Sequence, residues 1–219
     1  MNMKKFLLLH VFFACAYTFI NGQEAIEQKY LFGDFTNGTV LMKNKTVVNT
    51  SLNYDWINQE MNYYENDELM ILQGLEQIDT VYIGHRKFMP YNNLFLEVNP
   101  IKGDNLYIAW KNKVINTGKE GPLGTRSHTS NVQRLDIETR RGEAPADKNA
   151  IFEFDYANDN SYYIVINKKM KQFNSEKTFL KLFPKEKAEI IRTYIKEQHL
   201  NMGKISDVVR IVDYSIGVN

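Results

Sequence analysis

Residues 30–65 read YLFGDFTNGTVLMKNKTVVNTSLNYDWINQEMNYYE, and residues 69–91 continue as LMILQGLEQIDTVYIGHRKFMPY. Apolar side chains alternate with polar ones along this stretch, as at Val40 and Met42. This period of two residues is typical of a β-strand with one buried face. No window keeps an apolar stripe at helical spacing for three turns, and β-branched residues, which favour strands, are abundant. The stretch therefore predicts a succession of short strands.

Residues that favour tight turns separate these strands at regular intervals. Asn44-Lys45 and Asn66-Asp67 are candidate hairpin turns, because Asn tolerates a positive φ angle at little cost. We expect a third strand along Ile57–Tyr63 and a further strand over Ile78–Ile83. Turns this regular between strands this short predict an antiparallel sheet that curls into a small barrel or a sandwich.

The strand pattern continues to Lys168 and then gives way to helices. Ser175 is a good helix N-cap with Thr178 near the usual partner position, and Pro184 fits the first turn of a second helix. Amphipathic helices of this kind need an apolar surface to cover, most simply an open side of the sheet. The expected strands after Tyr91 are Leu94–Val98, Leu106–Trp110, Val114–Asn116, Val132–Ile137, Ile151–Tyr156 and Ser161–Lys168.

Together these patterns predict an α+β protein, an antiparallel β-meander (small barrel or sandwich) closed by two or three C-terminal helices. We expect residues 23–170 to form the β domain. Residues 171–219 are then a helical segment packed on it.

Residues 1–22 have the three-part pattern of a secretory signal peptide. Two lysines near the start precede the apolar stretch Phe6–Ala16, which is too short to span a membrane. We expect cleavage before Gln23. A lipid anchor on Cys15 is the alternative, and it is disfavoured by Phe12, where a lipoprotein signal prefers Leu.

Removal of the signal peptide changes what the composition allows. The chain has one cysteine, so the mature protein has no disulfide, no thiol nucleophile and no thiolate metal ligand. Loss of Lys4 and Lys5 from the 27 basic residues leaves 25 against 26 acidic ones, a net charge near −1. Such a balance gives no electrostatic footprint for nucleic acid. No later stretch has the apolar length of a transmembrane helix.

Motifs that carry catalytic or cofactor chemistry are missing from the sequence. His85, His128 and His199 are not at metal-ligand spacing, and no zinc-protease, nucleophile-elbow, phosphate-loop or dinucleotide-binding motif occurs. Ser127 beside His128 suggests a nucleophile and a base, but adjacent residues of an extended loop point in different directions. We therefore assign no catalytic residue, no cofactor and no metal site, and we favour a protein that is not an enzyme.

Two places remain candidates for a binding site. The long loop beginning at Gly118 contains three glycines, a proline and the polar residues Arg126 and His128, and long loops in compact domains are often functional. Trp56 and Trp110 could stack on sugar rings if their side chains face solvent, although core packing is the simpler interpretation of Trp110.

Several blocks of the sequence resemble a known family. They are LHVFFACAYTFINGQ, the meander GTVLMKNKTVVNTSLNYDWINQEMNYYE, the strand VYIGHRKFMPY, the segment LYIAWKNKVINTGKEGPLGTRSHTS, and the terminal FPKEKAEIIRTYIKEQHLN and DVVRIVDY. Together they resemble an uncharacterised family of exported, β-rich proteins of the Bacteroidota. The resemblance implies a periplasmic or surface location in a bacterium with two membranes. It implies no catalytic residue, since no activity is assigned to that family.

These observations favour an exported protein of the cell envelope that acts as a non-enzymatic binding or interaction module. It would lie in the periplasm, be associated with the outer membrane or be secreted, and its partner would be another envelope protein or a glycan. One alternative is a carbohydrate-binding protein that uses exposed aromatic residues. The other is a hydrolase with its site in the loop at residues 118–130.

Overall fold

The computed structural model describes residues 29–116, 119–120, 126–127 and 154–218. In these residues, the chain forms strands first and helices last, as the sequence predicts. The strands are β1 (Thr36–Met42), β2 (Val47–Asp55), β3 (Glu60–Glu65), β4 (Glu68–Ile71), β5 (Ile78–Ile83), β6 (Arg86–Tyr91), β7 (Leu94–Ile101), β8 (Asp104–Ala109), β9 (Asn112–Asn116), β10 (Lys119–Glu120), β11 (Arg126–Ser127), β12 (Phe154–Asn158), β13 (Ser161–Ile166) and β14 (Lys169–Phe173). The helices are a 3-10 turn (Leu75–Gln77), α1 (Glu176–Leu180), α2 (Lys185–Glu197) and α3 (Ile205–Gly217).

Ten of these strands form one antiparallel sheet, in the order β14-β13-β8-β7-β6-β5-β1-β2-β3-β4. Strands β9 and β12 pair as a separate two-stranded ribbon, and β10 pairs with β11. The α+β class is therefore confirmed. The sheet is not closed into the small barrel that the turn pattern allowed, because β14 and β4 stand at its two ends instead of pairing with each other.

The hairpin turns lie where the sequence places them, with one difference in detail. At the first turn, Lys45 has the positive φ angle of 73°. The Asn44 side chain instead accepts a hydrogen bond of 2.9 Å from the Thr46 backbone N–H. At the next hairpin both Asn66 and Asp67 have positive φ angles, of 50° and 64°.

Some strand boundaries differ from the predicted ones. The third strand begins at Glu60, because the preceding residue Gln59 has a φ angle of 60° and ends a turn. The stretch VYIGHRKFMPY is two strands, β5 and β6, joined by a turn at Gly84. The sheet also continues through β14, beyond residue 170. The strand expected at Val132–Ile137 lies outside the described residues.

One face of the sheet carries most of the hydrophobic core, and a small cluster of Leu96, Ala109 and Tyr163 is buried on the other face. Paired residues of neighbouring antiparallel strands share a face, so the register identifies a continuous inward row across the sheet. The row divides into two apolar clusters, one among β1, β2, β3, β5, β6 and β7 and the other among β8, β13, β14 and the helices. The inward row consists of Val40, Val81, Phe88, Glu97, Ile108, Tyr162 and Phe173.

The three helices cover the second cluster. Ser175 caps α1 through a reciprocal pair of hydrogen bonds with Thr178, as the sequence predicts. Pro184 occupies the N-cap position of α2. The buried apolar helix residues of this cluster are Phe179, Leu180, Ala188, Ile191, Ile195, Val208, Ile211 and Val212. No helix in the described residues is both long enough and apolar enough to cross a membrane.

Candidate functional site

The two tryptophans predicted as binding candidates lie side by side. Trp56 is in the turn after β2 and Trp110 directly follows β8, with ring centroids 6.4 Å apart and ring planes at 41°. Both side chains are half-buried, so part of each residue remains accessible to solvent. We call this pair the tryptophan surface.

Glu97 fixes the orientation of one of the two rings. It lies on β7 in the inward row, between Phe88 and Ile108, and is only 6 % exposed. The Trp110 indole Nε1–H donates a hydrogen bond of 2.5 Å to Glu97 Oε2. Arg86 on β6 donates to both carboxylate oxygens, from Nε to Oε1 at 2.6 Å and from Nη2 to Oε2 at 2.5 Å. Both oxygens of the buried carboxylate are therefore occupied.

The Arg86 guanidinium also lies within cation–π distance of three aromatic rings. Its central carbon is 4.9 Å from the Phe32 ring centroid, 5.0 Å from the Trp110 centroid and 5.6 Å from the Phe88 centroid. Cations are attracted to ring faces within about 6 Å. Arg86 therefore neutralises Glu97 and packs against the ring that Glu97 holds, so its charge is compensated from two directions.

The backbone of Trp110 is also held in place by hydrogen bonds. Its carbonyl oxygen accepts hydrogen bonds from the Tyr54 hydroxyl at 3.2 Å and from Gln59 Nε2 at 3.4 Å. Burial raises the pKa of Tyr54 far above its usual range, and hydrogen bonding with Gln59 offsets only part of the rise. Tyr54 therefore stays protonated at neutral pH and remains a hydrogen-bond donor.

The turn that carries Trp56 is organised by the buried carboxylate of Asp55. Asp55 Oδ1 accepts the backbone N–H of Ile57 at 2.9 Å and that of Asn58 at 3.0 Å. Asp55 Oδ2 is 3.0 Å from Lys29 Nζ. Burial lowers the pKa of Lys29, but the charge and hydrogen bond of Asp55 outweigh this effect and give a net rise.

Backbone hydrogen bonds then join the Trp56 turn to its neighbours. The Trp56 N–H donates to the Lys29 carbonyl at 3.3 Å, and the Trp56 carbonyl accepts from the Asn112 N–H at 2.8 Å. Asn112 begins β9, so the turn is tied to the base of the β9–β12 ribbon. The tryptophan surface is consequently pre-organised on ordered backbone.

These contacts leave the surface with few means of acid–base catalysis. The carboxylates of Glu97 and Asp55 are each paired with a cation and with further hydrogen-bond donors. The histidines of the described residues, His85 and His199, are exposed on turns. Within residues 29–116 and 154–218, no group of three His, Asp or Glu residues is placed to hold a metal ion.

The loop candidates are not brought into this arrangement. The Arg126 backbone is part of β11, where it pairs with Glu120 of β10. The Arg126 side chain and the whole of His128 lie outside the described residues, and so does the rest of the loop at residues 118–130 apart from its two short strands. The hydrolase alternative based on that loop stays a prediction.

The sequence interpretation missed Arg86 and Glu97. A signal was present, because Glu97 interrupts the apolar strand LFLEV and Arg86 lies in the preceding strand. An ionisable residue at an inward strand position requires a partner, and the hairpin from β6 to β7 brings the two residues together.

Comparison of the chain with protein-family models, with curated proteins and with solved structures finds no match.

Proposed function

We propose that this protein is an exported, non-enzymatic binding module of the cell envelope and that it binds its partner through the tryptophan surface. The pre-organisation of that surface carries the proposal. Trp110 is held by Glu97 and Trp56 by the turn that Asp55 organises, yet neither ring is fully buried. Aromatic side chains held in place bind with little loss of conformational entropy.

The hydrogen-bond pattern supports binding rather than catalysis. A general acid or base must be able to exchange a proton with a substrate, so its polar atoms cannot all be engaged within the protein. Here both Glu97 oxygens accept hydrogen bonds from within the protein, from Arg86 Nε and Nη2 and from the Trp110 N–H. What the surface offers a partner is apolar aromatic area in a fixed geometry.

The envelope location and the class of partner come from the sequence. The signal-like residues 1–22 and the resemblance to exported proteins of the Bacteroidota support export, with cleavage before Gln23. A near-neutral mature chain favours an envelope protein or a glycan over nucleic acid as partner.

Carbohydrate recognition is the second candidate function. Aromatic rings bind sugars by stacking against their C–H faces, which requires a ring that solvent can reach. Trp56 and Trp110 both retain accessible area, which favours this candidate, whereas full burial would have removed its basis.

A retention experiment tests the proposal. Protein without residues 1–22 is incubated with sedimented cell envelopes of a strain that lacks its gene. The bound fraction is then measured for the wild type and for Trp56→Ala. We expect Trp56→Ala to lower retention at least about tenfold, the loss of about 1.4 kcal/mol of binding free energy. Tyr82→Ala removes another exposed aromatic residue, 39 % exposed on β5, and is the matched control.

Two results would contradict the proposal. One is equal retention of Trp56→Ala and the wild type when circular dichroism shows that both are folded. The other is multiple turnover by the processed protein on a broad panel of hydrolase substrates.

A further inference from the structure

An open cleft lies where the sheet meets the helices, and neither Trp56 nor Trp110 lines it. Its volume is about 560 Å³, within the range of about 300–1,000 Å³ that is typical of small-molecule sites. Three separate segments form its walls: the turn between β12 and β13, the junction of β14 with α1, and the loop between α2 and α3. The lining residues are Asn158, Asp159, Asn160, Tyr162, Asn174, Ser175, Glu176, Leu200, Asn201, Met202 and Gly203.

Side-chain carboxamides dominate the lining, and internal hydrogen bonds fix how three of them are oriented. Asn158 Oδ1 accepts the Asn160 backbone N–H at 2.9 Å, and Asn160 Oδ1 accepts the Lys111 N–H at 2.7 Å. Asn201 Oδ1 accepts the Gly203 N–H at 2.8 Å. Because a backbone N–H can only donate, the oxygen end of each carboxamide is engaged within the protein. The amino ends of Asn158 and Asn160 act on the hydroxyl of Tyr162, whereas Asn201 is exposed and its amino group is a donor that a ligand can reach.

Tyr162 adds a buried hydroxyl to the cleft. The residue is only 2 % exposed, and burial raises the pKa of its hydroxyl while the carboxamides of Asn160 and Asn158 oppose the rise. Burial outweighs their effect, so the pKa of Tyr162 is raised and the phenol is protonated at neutral pH. The hydroxyl and the two carboxamides therefore form a polar floor to the cleft.

The charges around the cleft select against anions. Among the described lining residues, the charged ones are Asp159 and Glu176, and none is a lysine or an arginine. Lys111 reaches Asp159 at 3.5 Å, but this pair is largely exposed. Leu200 and Met202 are half-buried and contribute apolar area. A suitable ligand has many hydroxyl groups, an apolar C–H face and no negative charge.

We propose that this cleft, the carboxamide cleft, binds a neutral pyranose sugar. The Asn201 amino group donates to a sugar oxygen, the two carboxylates accept from the sugar hydroxyls, and Leu200 with Met202 contacts the C–H face of the ring. This site is separate from the tryptophan surface, so either proposal can fail without the other.

An Asn201→Asp variant tests the proposal, because aspartate keeps the oxygen that caps the backbone and replaces the amino donor with a second oxygen. It also adds one negative charge, which the control variant adds as well. Binding of glucose, galactose, mannose and N-acetylglucosamine, and of neutral polysaccharides built from them, is measured by saturation-transfer NMR and calorimetry. For at least one neutral sugar, we expect Asn201→Asp to weaken binding about 3- to 10-fold. Asn93→Asp, in the exposed turn between β6 and β7, is the matched control and leaves the affinity unchanged.

The panel also distinguishes the source of the sugar. Tighter binding of a polysaccharide than of its monosaccharide assigns the cleft to a glycan chain, and the reverse assigns it to a free sugar. Three results would overturn the proposal. They are no binding by any neutral sugar at about 10 mM, tighter binding of glucuronic acid than of glucose, and sugar binding that Trp56→Ala abolishes while Asn201→Asp leaves it intact.

Discussion

Replacement of Glu97 by Leu tests how the two halves of the core are joined. The wild-type carboxylate lies between the two apolar clusters and engages Arg86 and Trp110. In the Glu97→Leu variant, the Arg86 guanidinium keeps its charge and loses its anion, and the Trp110 N–H loses its acceptor. Both donors remain partly buried, so the variant is destabilised either by their burial without an acceptor or by distortion of the sheet.

The expected cost follows from these two losses. Breaking a buried ion pair by removal of one partner costs about 3–5 kcal/mol, and the low end applies because the Arg86 side chain is 19 % exposed. The unpaired indole N–H adds about 1 kcal/mol. The free energy of unfolding of Glu97→Leu should therefore fall by about 4 kcal/mol. Arg86→Met with Glu97→Leu removes both charges and should cost only about 1 kcal/mol.

Urea denaturation followed by tryptophan fluorescence measures these differences, because Trp110 contacts the ion pair and Trp56, the other tryptophan of the chain, lies beside Trp110. With a denaturant slope of about 2 kcal/mol per molar, the midpoint of Glu97→Leu should fall by about 2 M. Glu97→Gln keeps one acceptor oxygen and should fall by about half as much. If Glu97→Leu loses less than about 1 kcal/mol, or if the double variant is no more stable than Glu97→Leu, the carboxylate does not hold Arg86 as argued.

Three further predictions concern packing, alkaline pH and capping. A Cβ at Gly38 would lie 2.6 Å from the Tyr82 carbonyl oxygen, so Gly38→Ala should lower the free energy of unfolding by about 1–3 kcal/mol in urea titrations. Gly33→Ala is the control, because a Cβ there would meet open space and should leave the free energy of unfolding unchanged. Equal losses in the two variants would contradict the close packing at Gly38. The raised pKa of Tyr54 means that ionisation, which begins near pH 10 in the unfolded chain, opposes folding. The free energy of unfolding should therefore fall as the pH rises above 10, and it should fall less steeply in Tyr54→Phe. The same pH dependence in both proteins would contradict a raised pKa for Tyr54. Ser175→Ala should cost about 1 kcal/mol by loss of the α1 cap, whereas a cost matching that of exposed Ser206→Ala would exclude a capping role.

Local chemistry determined most of what the sequence could predict. The hairpin at Asn66-Asp67, the strand Ile78–Ile83 and the Ser175 cap depend on neighbours within a few residues, and all three are observed. The third strand was predicted to begin too early, because Asp55 caps a turn at residues 56–59. An alternating pattern of apolar and polar residues does not reveal such side-chain to backbone hydrogen bonds.

The site was harder to predict, because it depends on which strands are neighbours. The tryptophans were recognised as candidates by residue type alone. Their contact depends on hydrogen bonds that join Trp110 and Asn112, after β8, to Tyr54 and Trp56 at the end of β2. Arg86 and Glu97 become partners only when the register of β6 with β7 is known. Sequence reasoning identified which rings could bind and missed what orients them.

The ion pair is poorly explained as a device for stability alone. A buried ion pair is often no more stabilising than apolar residues of similar volume, because desolvation offsets the attraction between the charges. Leu at position 97 with Met at position 86 would join the two apolar clusters and give a similar free energy of unfolding. What that replacement cannot supply is an acceptor for Trp110 Nε1–H, and so it cannot fix the orientation of the indole ring. The double variant should therefore remain folded and lose envelope retention, whereas unchanged retention would mean that the orientation of Trp110 has no part in binding.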